Sequence, residues 1–250
     1  MEYGSDFIAR YSKKRLRPQN LWDHLLNVSY LAGERGNKVG LESSASLLGL
    51  VHDLGKATKE FREYLQFEVG LREKLDFKLG GSKLDHATAG AQVIFDALVK
   101  DQTPTFAADI LSIVAASHHG IMDALRPNGE DALGRRLSKG EHETRKEQAL
   151  ASLDSKILAE LNTLLESGLE KELEEFLLRT FEPEDRDLES YFKIALLVRY
   201  LLSCLIDADR IDAANFEAGR CIATAGRPRM NWSKPIERLE NYLATFKVVE

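Results

Sequence analysis

The 250 residues carry 40 acidic and 34 basic side chains, a formal net charge of −6 with histidine neutral. Apolar residues make up 44% and charged residues 30%, which suits a folded chain with a sizeable core and excludes a wholly disordered one. Cys204 and Cys221 are too few for a disulfide framework and form no CxxC zinc pattern, and the longest apolar stretch, 194–206, is broken by Arg199 and too short to span a bilayer.

Leu, Ala, Glu and Lys abound, Pro occurs 6 times, and no run alternates polar with apolar. The chain therefore reads as helix nearly throughout, an all-α fold in one compact bundle over residues 1–250. Helices are expected near 20–35, 42–54, 57–67, 86–100, 106–119, 143–179, 188–210 and 233–246. Asn20 should cap the first and Gly36 end it. Asp85 should cap the helix that begins at His86, and Gly120 should end the one closing at His119. The segment 120–142, with Pro127-Asn128-Gly129, reads as a loop. No signal-peptide h-region opens the chain and the cysteines suggest a reducing compartment, so a cytoplasmic setting without membrane attachment is expected.

Charge is unevenly spread. Residues 141–190 hold 15 acidic and 6 basic side chains, a net of −9, which leaves the rest at +3. The acidic stretch reads as a long solvated helix or helical hairpin. Basic residues gather at Arg10, Lys13, Lys14, Arg15 and Arg17, and again at Arg220, Arg227, Arg229, Lys234 and Arg238. Lys13, Lys14, Arg15, Arg17, Arg227 and Arg229 are the candidates to follow a phosphate backbone. Trp22, Trp232 and Tyr11 read as packing residues, and His142 as exposed.

Five of the six histidines, His24, His52, His86, His118 and His119, occupy potential ligand positions, and four of them continue apolar helical stripes. His24 follows Leu21 and precedes Val28 and Leu31; His52 continues Ala45 and Leu48; His118 follows Leu111 and Val114; His119 follows Leu111 and Ala115. Asp53 follows Gly49, whose missing side chain leaves room beside a ligand. A lone histidine on such a stripe is a core residue. Five, with His86 and a carboxylate among them, are costly to bury unless a cation or hydrogen-bond network compensates. Near 203–209 two aspartates compete. Asp209 extends the stripe Val198, Leu202, Leu205 and points inward, whereas Asp207 shares its face with Arg199 and Ser203. Asp209 is the expected ligand, Asp207 the fallback.

The order His24, His52-Asp53, His86, His118-His119 and Asp209, all on helices, resembles the HD superfamily of metal-dependent phosphohydrolases. More narrowly, Leu21-Trp22-Asp23-His24-Leu25, the run His52-Asp53-Leu54-Gly55-Lys56, Asp85-His86-Ala87-Thr88-Ala89-Gly90, Ser117-His118-His119-Gly120 and Ser203–Asp209 are similar to the HD nuclease of type I CRISPR interference. The likeness covers about residues 5–245, and the acidic stretch carries none of its motifs.

The resemblance implies two divalent cations. His24, His52, Asp53 and Asp209 would hold one; His86, His118 and His119 would hold the other, with Asp53 bridging, since a carboxylate has two oxygens and can serve both. Adjacent helical residues point about 100° apart, so His52 and Asp53 can meet one metal only near a helix terminus, which Gly55 supplies. Mixed imidazole and carboxylate ligands suit Mn²⁺, Ni²⁺, Co²⁺, Fe²⁺ or Zn²⁺ better than Mg²⁺. Asp53, His52 and Lys56 are the implied catalytic residues, with the Lys56 ammonium against a phosphate oxygen or the leaving group.

The implied reaction is hydrolysis of single-stranded DNA, possibly RNA, by a water that the metals activate. The implied partners are a superfamily 2 helicase and an RNA-guided surveillance complex. No GxxxxGK[ST] loop occurs, so any helicase lies outside these residues, and 247–250 resemble the junction at which fused members continue into one. Two other functions compete: a phosphohydrolase of nucleotides or cyclic dinucleotides, which needs a closed base-specific pocket, and a helical adaptor without catalysis, which the full ligand set disfavours.

Overall fold

A computed structural model describes residues 7–12, 14–76, 84–99, 103, 105–182, 187–220 and 233–246. The chain opens not with helix but with two short strands, β1 (Ile8–Ser12) and β2 (Arg17–Asn20), paired antiparallel from Ile8↔Asn20 to Ser12↔Arg17, with an irregularity between Ile8 and Arg10. Five and four residues are too few for an alternating pattern to show, and Pro18 disfavours helix at the residue before it. Helix dominates the remaining elements, so the all-α class holds.

Helix α1 (Leu21–Gly36) starts as its cap predicts: Asn20 Oδ1 accepts from the backbone N–H of Trp22 at 2.7 Å and of Asp23 at 3.1 Å. It buries Leu21, His24, Leu25, Val28 and Ala32, while Leu31 is only half-buried. After a 3₁₀ turn at Asn37–Val39, Gly40 at φ +75° turns the chain into α2 (Glu42–Val51). The two helices run antiparallel in close contact. A Cβ at Gly49 would lie 2.7 Å from the backbone of Val28 and Ser29. Gly49 thus makes room for α1 rather than for a ligand, which corrects the sequence reading.

Helix α2 stops at Val51, and a 3₁₀ turn at Leu54–Lys56 leads into α3 (Lys59–Glu68). Helix α4 (Thr88–Leu98) begins two residues after His86. Asp85 accepts from the Thr88 backbone N–H at 3.1 Å and from its hydroxyl at 2.7 Å, so it ties down a helix start that falls at Thr88, with Ala87 at the cap position, rather than at His86 as expected. Helix α5 (Phe106–Ala116) packs along α4 and ends before the histidine pair. The segment 120–142, read as a loop, contains a short helix, α6 (Ala132–Leu137), and the start of another, α7 (Glu141–Thr144).

The acidic stretch is not one solvated helix. It divides into α8 (Lys146–Ala151), α9 (Ser155–Glu166) and α10 (Leu169–Thr180), and Ile157, Leu161, Leu164, Leu169 and Leu173 join the core. Apolar residues at i, i+4 and i+7 give α9 a buried stripe beneath its charges. Helices α9 and α10 pack on α2. From α10, Glu172 caps the α2 N-terminus, accepting from the backbone N–H of Ser43 and Ser44 at 2.8 Å each. This acidic helix is therefore anchored at the opposite end of α2 from His52, about 15 Å along a ten-residue helix.

Helix α11 (Asp187–Ala218) crosses α1, α2 and α5 and runs eight residues beyond its predicted end. Helix α12 (Ser233–Leu243) follows, with none of its residues buried. Cys204 is buried and free. Among the described residues no helix is long and apolar enough to cross a membrane. Lys13, Arg227, Arg229, Trp232 and Cys221 lie outside the described residues.

Candidate metal centre

The histidines converge because four helix ends meet. His24 projects from the first turn of α1 and His52 stands at the C-cap of α2, with Asp53 next, where the chain leaves helical geometry at φ −107°. That irregular step lets two adjacent side chains share one centre. A Cβ at Gly55 would lie 2.6 Å from the His86 backbone, and the Gly55 N–H donates to His86 O at 3.2 Å. This glycine brings the start of α4 against the end of α2. His118 and His119 follow the C-terminus of α5.

Asp53 lies at the middle, 2% exposed, and its two oxygens face different groups. Oδ2 is 3.3 Å from His52 Nε2 and 3.5 Å from His24 Nε2. Oδ1 is 3.5 Å from His118 Nε2 and 3.6 Å from His86 Nε2. His86 and His119 bring their Nε2 atoms to 2.5 Å from one another. Two sets of candidate ligand atoms lie within 4.8 Å of one another: Asp53, His86, His118 and His119, and His24, His52 and Asp209.

Each inward-facing imidazole but one is fixed through its other nitrogen. Nδ1 of His52 donates to Gly49 O at 2.9 Å, that of His118 to Ala115 O at 2.9 Å, and that of His86 to Leu84 O at 3.2 Å. His24 Nδ1 pairs with Asp212 Oδ2 at 2.6 Å. A proton held on Nδ1 leaves the Nε2 lone pair facing Asp53, the arrangement a metal-binding histidine requires. Among the described residues, His52 Nε2, His118 Nε2 and Asp53 Oδ1 are buried without a hydrogen-bond partner. Buried polar atoms that point together and bond nothing are expensive, and a cation compensates them. The donor set therefore fits divalent metal.

The electrostatics agree. Burial pushes the Asp53 carboxyl up, but Lys56 and then His52, with His118 and His24, hold it well below the usual carboxylate range. Burial lowers His86 to about 4, with Lys56 and His118 adding to it against the pull of Asp53. His119 likewise falls to about 4, from burial and then from His118 and His86. For Asp209 burial is outweighed by His52, His24 and Arg10, and its carboxyl is also lowered. Ionised carboxylates and neutral imidazoles at neutral pH are the protonation states that ligate.

Of the two competing aspartates, Asp209 reaches the centre, with Oδ1 3.5 Å from His24 Nε2. Asp207 turns away into an ion pair with Arg35 of α1. Lys56 does not stand free for a phosphate: its Nζ bonds Asp53 Oδ2 at 2.5 Å and Ala9 O at 3.2 Å. Arg15 and Arg17 are committed to packing, their guanidinium groups 5.6 and 5.2 Å from the centre of the Phe216 ring, and Arg15 Nη1 donates to Phe216 O at 2.7 Å. Lys14 is exposed. Trp22 packs on Phe7, as expected, and His142 is exposed.

Two residues escaped the sequence reading. Asp212 is 2% exposed and holds His24, while accepting from Gln19 Nε2 at 2.6 Å and Asn27 Nδ2 at 2.8 Å. Its signal was present: it continues the stripe Leu201, Leu205, Ala208 one step past the predicted helix end. Arg10 of β1 donates to Asp209 Oδ1 at 2.8 Å and lies 3.4 Å from His24 Nε2. No local pattern marked it, because its place depends on the hairpin.

A helical fold that gathers histidines and aspartates in the order His, His-Asp, His, His-His, Asp around one bridging carboxylate defines the HD class of metal-dependent phosphohydrolases. Within that class, the family described as "Cas3, HD domain" matches residues 18–192, well over half of the chain. The chain belongs to this family, which sets it in a CRISPR system with a nucleic-acid substrate. The match takes in His24, His52, Asp53, Lys56, His86, His118 and His119 but ends before Asp209 and Asp212. A search of curated proteins finds no match.

Proposed function

We propose that this chain is a metal-dependent nuclease that cuts single-stranded DNA in type I CRISPR interference, in the cytoplasm, alongside a superfamily 2 helicase and an RNA-guided surveillance complex. The observation that carries the reading is Asp53, which offers Oδ2 to His24 and His52 and Oδ1 to His86 and His118. A carboxylate so placed can serve two cations at once.

In this reading His24, His52, Asp53 and Asp209 would hold one divalent transition metal, and His86, His118 and His119, with Asp53 shared, would hold the second. Bound there, the metals supply Lewis-acid chemistry, activating water near neutral pH and offsetting charge on the phosphate. The chain's own residues do the rest. The Nδ1 acceptors fix four imidazoles so that no reorganisation is needed when the ligands engage. Lys56 keeps Asp53 ionised, and would meet a phosphate oxygen only by giving up its bond to Asp53 Oδ2 when a cation takes that place. His119, exposed at the rim, marks the side on which the centre reaches solvent.

A metal-titrated assay on long single-stranded DNA, duplex DNA and free nucleotides tests this reading. The expected result is Mn²⁺- or Ni²⁺-dependent cutting of single strands, with Asp53→Ala at least 10³-fold slower, as befits loss of a shared ligand. Hydrolysis of nucleotides or cyclic dinucleotides with long DNA untouched would move the chain to the phosphohydrolase reading. Cutting by Asp53→Ala at the parent rate would end the two-metal account.

A further inference from the structure

Three residues beyond His119 the chain begins a second polar feature. Arg126–Gly129 forms a tight turn in which the Gly129 N–H donates to Arg126 O at 2.8 Å, with Pro127 at its second position. The turn brings the Arg126 N–H to Glu130 O at 2.9 Å, and Asp131 then caps α6 through the Gly134 N–H at 2.7 Å. Helix α6 delivers Arg135 and Arg136, and Lys139 follows one turn later. The result is an open cleft of about 750 Å³ lined by these four cations, with Asp123 and Glu143 as its acidic members.

The cations are held in pairs. Glu130 bonds Arg126 at 3.0 Å and Arg135 at 2.9 Å. Asp85 bonds Lys139 at 2.6 Å and faces Arg136 at 4.0 Å, while Arg136 Nε donates to Thr88 Oγ1 at 2.9 Å. Each carboxylate is thus shared by two positive groups. With Glu130 and Asp85 counted, the cleft is formally balanced, so an entering anion must draw the guanidinium groups away from Glu130.

The cleft is tied to the metal centre through the chain on both sides. Asp85, which anchors one pair, immediately precedes His86, and Met122 on the lining is three residues from His119, a reach of at most about 10 Å. On either side of Met122, Ile121 and Leu125 stand 68% and 65% exposed, apolar surface available to sugars or bases. Of the basic groups expected to follow a backbone, Arg15 and Arg17 are spent on Phe216, whereas these four line an open cleft.

We propose that the cleft is a polynucleotide subsite in which Arg126, Arg135, Arg136 and Lys139 grip backbone phosphates a few nucleotides from the scissile one. Planar guanidinium groups suit phosphate oxygens, and such contacts position a strand without reading its sequence. This rests on the nuclease reading above.

Arg136 and Lys139 are tied to Asp85, the residue next to His86, so the test uses the two outer arginines. Binding of a labelled oligothymidylate is followed by fluorescence anisotropy across a salt series, with Ca²⁺ in place of a transition metal to hold back cleavage. The double variant Arg126→Ala/Arg135→Ala should bind about tenfold more weakly, with a log K against log salt slope shallower by about 1.4, or 0.7 per lost phosphate contact. Glu130→Gln, which frees both guanidinium groups, should bind more tightly than the parent, an effect that a merely structural role for these residues would not give. Lys171→Ala/Arg199→Ala, which removes two exposed charges on α10 and α11, is the control. If the arginine variant matches parent and control while the parent binds, the cleft proposal is overturned and the nuclease reading stands. If the parent binds no strand at all, both fall together.

Discussion

Asp53 joins two half-sites that differ in what stands against them. On the Oδ2 side the imidazoles of His24 and His52 are sealed from solvent, and two cations of the protein are already present: Lys56 on Asp53 and Arg10 on Asp209. On the Oδ1 side His118 Nε2 and Asp53 Oδ1 have no hydrogen-bond partner among the described residues, and His119 reaches the surface. The sealed half meets its buried negative charge with the chain's own lysine and arginine. The open half leaves that task to a cation from solution. A metal entering the Oδ1 side must part the His86 and His119 Nε2 atoms but displaces no charged side chain, whereas one entering the Oδ2 side must move a guanidinium and an ammonium. The centre should therefore load in two unequal steps, open side first.

The largest break in that comparison comes from His118→Ala, which removes an unpartnered ligand from the open half. Calorimetric titration with Mn²⁺ should lose its tighter step, and strand cutting should fall by at least 10³-fold, since that half faces the substrate. A retained tight step would show that the sealed half loads first. Asp212→Asn is a subtler cut, because it leaves every ligand in place and only loosens the His24 imidazole. The weaker step should lose 10–100-fold in affinity, the usual cost of removing a carboxylate behind a ligating histidine, with the tighter step unmoved. Equal loss in both steps would mean that Asp212 supports the fold rather than His24.

Arg10→Ala should act in the opposite direction and least. Without the guanidinium beside Asp209, the weaker step should tighten by a few-fold and the gap between the two steps should narrow. The offsetting cost is an Asp209 carboxyl no longer held down by Arg10, so its proton is lost at a higher pH than in the parent and the gain should shrink as the pH falls towards the carboxylate range. A weaker second step in this variant would make Arg10 a support for Asp209 instead of a rival to the metal.

Much of this was legible in the sequence where chemistry and helical period coincide. His24, His52, His118 and His119 sit on apolar stripes that have no use for imidazole, and the structure brings all four to Asp53. The same reasoning separated Asp209 from Asp207, because three-to-four-residue spacing settles which side of α11 faces inward. What failed was long-range or backbone-borne. The β1–β2 pair is too short to carry a period, so Arg10 could not be placed although it was counted among the basic residues. Gly49 was read for space beside a ligand, yet the space is filled by another helix backbone. The acidic stretch misled because charge on one face hid Ile157, Leu161 and Leu173 on the other. Asp212 was lost only to a helix end drawn too early, and helix ends are the least constrained feature of a pattern.

The central claim is that one carboxylate joins two metal positions, and electron paramagnetic resonance of the Mn²⁺-loaded chain tests it most directly. The account predicts two Mn²⁺ per chain at saturation with the exchange-coupled spectrum of a bridged pair, appearing only in the second loading step and absent from Asp53→Ala. A single uncoupled Mn²⁺ at saturation, with the same spectrum in Asp53→Ala, would contradict it.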